Sequence, residues 1–457
     1  MEKTSFQKVY EEIEVPEDDV LKAIVSGKNR AGDVTKASKR TGLRKLVWSS
    51  VAAATILISS SFISPSISHV MAKVPWLGDV YTAFNDTVGR SLHTQDLITE
   101  LNQFSTYKNI DVSITNAYYD GAIIGVTFTV KGSVTTEEDG RVEGFYEIFD
   151  GKGGISDSKE LIYMEPTEDG YIGHIQLSYP KSELPKEASF PLEFKRIGKV
   201  EGSWRFDVPI NQLPFETLLV DKATRKEEAG VSVHFDTIIQ GKGSTAINYT
   251  ATFPQEGKND QVRLKAYDDQ GKEITISKDG IDLETVKEDN KIIVKGRSII
   301  PASLAGETSY IEVVPEVALS EPDHIVSVDE ATPIELHAKR QDLQVKIEKM
   351  TVQESSLTID FQLNDGNAMG KPISFFEDFA RNDITLVKES EKNLYQDQKS
   401  IKHTVKTISK DDLRFTRTFD MTHLKNFTST DYVIRVNMEA MSINIPVKLE
   451  KIKIDMK

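Results

Sequence analysis

Between Leu46 and Ile63 the chain runs for eighteen residues, LVWSSVAAATILISSSFI, without a charge, and it does so directly after a basic block. A helix of that length covers about 27 Å of a hydrocarbon layer about 30 Å thick. The run is therefore expected to form one transmembrane helix over 46–64, with the lipid bilayer as its partner and Pro65 marking its end. Its serines and threonine, Ser49 and Thr55 among them, are compatible with a bilayer because such hydroxyls bond to their own helix backbone or to a second helix. Lys36, Lys39, Arg40, Arg44 and Lys45 precede the run and only Lys73 follows closely. By the positive-inside rule the N-terminus is cytoplasmic, the bulk lies outside, and the protein sits in the cell membrane as a single-pass chain. Two alternatives stay open: a cleaved secretory signal, with Val70-Met71-Ala72 as the small-residue cleavage motif, and a buried helix of a soluble protein.

The run divides the chain unequally. About 390 residues follow it, enough for three domains of roughly 100–150 residues each, whereas the 45 before it are too few to fold easily alone. With 28% charged residues, 39% hydrophobic residues and a net charge of −15, the remainder has the composition of a globular protein rather than of a multi-span one. There is no cysteine, which excludes disulfides and thiolate metal sites.

Past the run the hydrophobic period changes. Trp76, Val80, Phe84, Val88, Leu92, Leu97 and Leu101 fall near helical spacing, so residues 65–107 are expected to form a juxtamembrane helical linker. From Ile110 the period is two: Ile110, Val112 and Ile114, a turn at Asp120-Gly121, then Ile124, Val126, Phe128 and Val130. The same strand–turn–strand layout returns at Ala229–Gly257 and at Asp342–Gly366. Alternating segments at 202–211, 309–317 and 431–452 would close each unit, and SFFEDFAR (374–381) reads as a local helical insertion. The expected fold class is mainly β: a short cytoplasmic helical tail (1–45), one transmembrane helix (46–64), the linker (65–107), then about three antiparallel β-sandwich, immunoglobulin-like, extracellular domains. Their expected spans are 108–219, 220–335 and 336–457.

Chemistry leaves little trace. The eight histidines are scattered singly, and HExxH, GxSxG and the P-loop pattern are absent. GKGGISDS (151–158) and GKGS (241–244) lie between strands rather than before helices, so they read as hairpin turns rather than phosphate cradles. AYDDQGKEI (266–274) and TTEEDGR (135–141) carry adjacent carboxylates instead of the alternating ones a calcium loop uses, and read as surface turns. No enzyme, no cofactor and no metal is expected, and the acidic outer part excludes direct binding of nucleic acid.

The tail carries more. Phe6, Val9, Tyr10 and Ile13 make an apolar stripe on one short helix, and Val15-Pro16 breaks it. Pro16 opens a second helix whose first turn is Glu17-Asp18-Asp19 and whose apolar face holds Val20, Leu21 and Ile24. Two helices this short are marginal in water by themselves, so the stripes point to a partner; an inert tail lying on the membrane is the bland alternative. The stretch Glu2–Asp19 is acidic, which suits a protein partner better than an anionic membrane surface.

The tail pattern of Tyr10, Ile13, Val15, Pro16, Ala23 and Ile24, the basic block, the single span, ISPSISHVMAKVPWLGDVY and the IDVSIT…GVTFTVKG strand pair together resemble a family of Gram-positive membrane proteins. Its members carry a juxtamembrane domain of unassigned function, and some act as anti-sigma factors or negative effectors of extracytoplasmic-function sigma factors. The resemblance covers residues 5–215 best. The H-x-x-x-C-x-x-C of zinc-containing anti-sigma domains is missing. The resemblance implies that the tail holds a sigma factor at the membrane while the exterior senses the envelope state through a cell-wall or small-molecule signal. The alternative reading is a structural or adhesive surface protein with a passive tail.

Overall fold

The computed structural model describes residues 77–148, 160–276, 280–364, 366, 370–394, 401–424 and 427–456. The chain divides into two bodies, Met1–His69 and Val70–Lys457, and every described residue belongs to the second. The expected tail and the expected span at 46–64 lie outside the described residues. Among the described residues no helix is long and apolar enough to cross a membrane.

The second body is mainly β, built from several antiparallel sheets that enclose three large apolar cores. It opens with two short helices, α1 (Leu77–Ala83) and α2 (Thr87–Thr94). The first β module follows as β1 (Thr99–Tyr107), β2 (Ile110–Asp120), β3 (Ile123–Lys131), β4 (Val142–Ile148), β5 (Glu160–Thr167), β6 (Gly170–Ser178), β7 (Glu187–Ile197) and β8 (Val200–Asn211). Their order is β1-β2-β3-β6-β5-β4-β7-β8. Strand β5 belongs to both halves: Glu160–Met164 pairs with β4 and Glu165–Thr167 pairs with β6, so one strand turns the corner of the sheet. The sheet curls until Trp204 on β8 donates its indole N–H to the Ile110 carbonyl at 2.9 Å. Ile110, Val112, Ile114, Val126, Phe128, Phe194 and Trp204 fill the enclosed core.

The strand expected from the alternation in β2 carries a bulge between Ile114 and Asn116. Beyond it Tyr119 points into the first core, while Tyr118 joins a second apolar cluster with the helices. A bulge adds one residue to a strand and so re-aims the side chains that follow. Gly125 on β3 lies opposite Tyr118, and a Cβ there would stand 2.0 Å from the ring.

The second module contains β9 (Glu216–Lys226), β10 (Val231–Gln240), β11 (Thr245–Pro254), β12 (Gln261–Tyr267), β13 (Glu273–Ile274), β14 (Ile281–Glu288), β15 (Lys291–Ile300) and β16 (Tyr310–Ala318). One sheet has the order β14-β15-β11-β10-β9; the other contains β13, β12 and β16 and is extended by Val447–Lys448 and Ile452–Asp455 from much later in the chain. The third module packs a three-stranded sheet (324–327, 432–436 and 384–388) and a five-stranded one around a single core, with helix α3 (Ile373–Asn382) covering part of it.

Three expectations change. The helical spacing of Leu97 and Leu101 predicts a linker helix running to 107, but Thr99–Tyr107 is strand β1, paired with β2 from Thr99↔Ala117 to Tyr107↔Ile110; ladder hydrogen bonds outweigh the helical spacing. The segment 431–452, expected to alternate as strands, is interrupted by α4 (Met438–Ser442). Asn437 caps it by accepting from the Ala440 N–H, and Met438 and Met441 are buried one turn apart. The boundary expected at 335/336 is crossed in both directions, because 324–327 pairs with the third module's strands and 447–455 completes the second module's sheet.

Candidate functional site

The residues that fasten α1 and α2 to the sheets form a buried polar network. Asp86 stands between the helices in extended conformation, with φ −82° and ψ 94°, and caps α2: its Oδ1 accepts the Gly89 N–H at 2.7 Å. Gly89 is required there, because a Cβ would lie 2.2 Å from Asp86 Oδ2 and 2.4 Å from the Tyr81 ring. Asp86 Oδ1 also accepts from Gln176 Nε2 at 2.6 Å. Oδ2 accepts from the Tyr118 hydroxyl at 2.9 Å and faces His174 Nε2 at 2.8 Å. Both carboxylate oxygens are thus satisfied although Asp86 is only 1% exposed.

The network continues through His174. Its Nδ1 lies 3.0 Å from Thr127 Oγ1, and Tyr81 hydrogen-bonds Thr127 in turn. Tyr81 packs edge-on against the imidazole at 5.4 Å. Burial raises the Tyr81 hydroxyl pKa to about 12, with Thr127 lowering it and Asp86 adding to the rise. Tyr118 is held well above the ordinary tyrosine range, first by burial and then by the Asp86 charge. Thr127, His174 and Asp86 stand in the order of a hydrolytic triad, yet Thr127 is 1% exposed, so a substrate has no access to its hydroxyl. The arrangement fixes position: it holds α1, the start of α2, β2, β3 and β6 in one register.

A second polar lock lies beside it. Asp120, at the end of β2, is fully buried, and its carboxylate sits in the turn Gly241–Ser244 of the second module. Lys242 N–H donates to Oδ1 at 2.6 Å, Gly243 N–H to Oδ2 at 2.9 Å, and Ser244 Oγ to Oδ2 at 2.7 Å. The GKGS segment, read as a plain hairpin turn, is a hairpin turn that also cradles an anion, and the anion is the chain's own carboxylate. Gly243 meets Val88 and Leu92 of α2. Around both locks Tyr81, Val88, Leu92, Tyr118, Ile123 and Ile239 form a small apolar cluster that joins helices, first module and second module. Arg297 closes the far side, fully buried, donating to the Tyr179 carbonyl at 3.0 Å and to Asn248 Oδ1 at 2.8 Å. Burial lowers its pKa to about 10.

The residues singled out for partner binding, Phe6, Val9, Tyr10, Ile13, Val20, Leu21 and Ile24, and the membrane-flanking Lys36, Lys39, Arg40, Arg44 and Lys45, all lie outside the described residues, as does the 151–158 turn. Of the two acidic turns, Asp268 accepts backbone N–H groups of its own turn and Asp139 pairs with Arg141. Among the described residues no cluster of three or more His, Asp or Glu is arranged to hold a metal. Sequence reasoning did not single out Asp86, Tyr118, His174, Gln176 or the Asp120 carboxylate. Asp86, ahead of Thr-Val-Gly, carried the one local signal, that of an N-cap.

Compared with known proteins, residues 39–132 match a family described as a domain of unknown function, DUF4179. The match takes in the basic block from Lys39 onward, the apolar run, α1, α2 and β1–β3 together. No curated protein matches the chain. Among solved structures, a crystal structure of a conserved domain protein from Bacillus anthracis is 19% identical with a TM-score of 0.40, over 51% of this chain and 82% of that one.

Proposed function

We propose that this protein is a membrane-anchored regulator that sequesters an extracytoplasmic-function sigma factor through its cytoplasmic tail and senses the envelope state through its outer β modules. The observation that carries the reading is the junction at Asp86. The helices that follow the apolar run in sequence are locked to the first module by a filled carboxylate, and the first module is locked to the second by the Asp120 cradle. Such a connection passes a displacement of the modules to α1 instead of absorbing it in a loose linker. The apolar stripes of the tail supply the partner-binding half, with Phe6 and Ile24 on their two faces. Ligand-driven release then requires a signal that binds two states of the exterior differently.

The test uses the full chain, purified together with each extracytoplasmic-function sigma factor of its host in turn. One of them is expected to be retained, and Phe6→Asp and Ile24→Asp are expected to weaken retention by at least about tenfold, as loss of a central apolar anchor does. Retention of none, or equal retention by both variants, overturns the proposal. Unchanged transcription after deletion of residues 2–40 would instead favour a structural or adhesive surface protein with a passive tail.

A further inference from the structure

His234 on β10 has a carboxylate at each ring nitrogen. Nδ1 faces Asp236 Oδ1 at 2.7 Å, and Nε2 faces Asp221 Oδ1 at 3.0 Å. Asp236 is itself anchored, because its other oxygen accepts from Thr250 Oγ1 of β11 at 2.9 Å. Asp221 comes from β9, the edge strand of the sheet, where Val220 and Asp221 together stand opposite the single Asp236 in a bulge. Its backbone is left-handed, with φ 47°, a conformation that aspartate enters more readily than most residues but does not prefer. The side chain that holds it there is His234.

The other charges on this face are committed elsewhere. Lys295 of β15 feels Asp236 but pairs with Glu284 of β14 at 2.8 Å. On β9, Lys222 donates to the Lys453 carbonyl and Arg225 pairs with Glu227. An ionised carboxylate only accepts, so two of them hold both nitrogens of one imidazole only while each nitrogen carries hydrogen, that is, as imidazolium. The neutral ring has a single N–H. Asp236 is nearer and is fixed by Thr250, so that hydrogen stays on Nδ1, and the Nε2 lone pair is turned against Asp221. The contact across the bulge thereby changes from attraction to repulsion.

We infer that His234 is a proton-operated latch on edge strand β9, closed by the charged ring and opened by the neutral one. The bond to Asp236 lifts the imidazole above its ordinary value of 6.5, partial burial opposes the rise, and Asp221 adds to it. A raised folded-state value means that the stabilisation is complete below 6.5 and is lost as pH rises through the raised value. Strand β9 begins directly after Leu213 and Phe215, which pack against the cluster joining the helices to the first two modules, so the latch sits one short stretch of chain from that junction. The inference stands whatever the tail binds, since it is read on the chain alone.

The test is histidine NMR titration and amide hydrogen exchange on the purified full chain. The His234 signal, assigned as the one of eight lost in His234→Gln, is expected to titrate above 6.5, and Asp221→Asn, which still enters the left-handed region, should lower that midpoint. Corrected for base-catalysed intrinsic exchange, opening of β9 around Asp221 should become about threefold more frequent once pH passes the midpoint, the scale of an exposed ion pair. Strand β14, the opposite edge of the same sheet, has no histidine on it and should show no such rise. The rise should vanish in His234→Gln and in Asp221→Asn alike. A wild-type midpoint at or below 6.5, no rise in β9, an equal rise in β14, or a rise that survives in both variants overturns the inference.

Discussion

Replacing Asp120 with alanine should loosen the contact between the first two modules more than any apolar truncation of similar size. The carboxylate is fully buried and accepts from Lys242 N–H, Gly243 N–H and Ser244 Oγ. Removing it leaves three donors facing a small cavity. Each buried donor left unmade costs about 1–3 kcal/mol. Ser244 can turn its hydroxyl to the Asp120 carbonyl, which it already reaches at 3.1 Å, so the two backbone N–H groups carry most of the loss. The sum is about 3 kcal/mol, which corresponds to local opening that is on the order of 100-fold more frequent. Because three modules need not unfold as one, the measurement is amide hydrogen exchange rather than a global midpoint. Exchange at Lys242 and Gly243 should accelerate by that factor, while the Ser356–Asn364 strand of the third module keeps its wild-type rate. Asp120→Asn, which places an NH₂ against one of the donors, should fall between the two. Acceleration below about threefold at Gly243 would refute the reasoning, and so would equal acceleration throughout the chain.

Two further perturbations test charges held wholly or partly away from water. Arg340→Ala removes two bonds to Asp260, at 3.0 and 2.6 Å, and leaves a carboxylate that is 3% exposed, with Ser320 as its one donor among the described residues; a loss of about 3–5 kcal/mol is expected in the opening free energy read by amide exchange at Ser320, and a loss under about 1 kcal/mol would show the pair to be dispensable. Asp383 has its carboxyl pushed from 3.8 up to about 6, chiefly by burial, with Asn437 and Arg417 opposing the shift and Asp323 adding to it. Between those values the folded chain keeps a proton that the unfolded chain releases, so stability falls as pH rises through the window, and the full cost is present above about 6. Asp383→Asn, whose amide oxygen can still accept from Asn437, should therefore raise the melting temperature at pH 7 and flatten its dependence between pH 4 and 6; a parallel pH profile would count against this account.

The strands were legible because a half-buried sheet must alternate. Ile110, Val112 and Ile114 alternate with polar residues in the sequence itself, and all three are buried in the first core. What alternation cannot convey is which strand lies beside which. The turn of β5 from one half of the sheet to the other depends on pairing at a distance, and so does the pairing of Ile452–Asp455 with β16. Thr99–Tyr107 was misassigned because Leu97 and Leu101 match a helix, while the bonds that make it a strand come from β2. The locks were hidden for a related reason. Asp86 and His174 are 88 positions apart, and Asp120 meets Gly243 across 123 residues. A carboxylate and a glycine-rich turn each have an ordinary local meaning, and only their meeting gives them another.

The return of Val447–Lys448 and Ile452–Asp455 to β16 makes the third module, topologically, a very long excursion within the second. During synthesis the middle module has its first strands early, yet Ile452, Ile454 and Met456 are part of its core. It stays open on one side until everything after Ala318 has been made and folded back. The centre of this protein is therefore finished later than the module that follows it, and a nascent chain stalled anywhere between 320 and 446 would present an unsealed hydrophobic face in its middle rather than at its growing end.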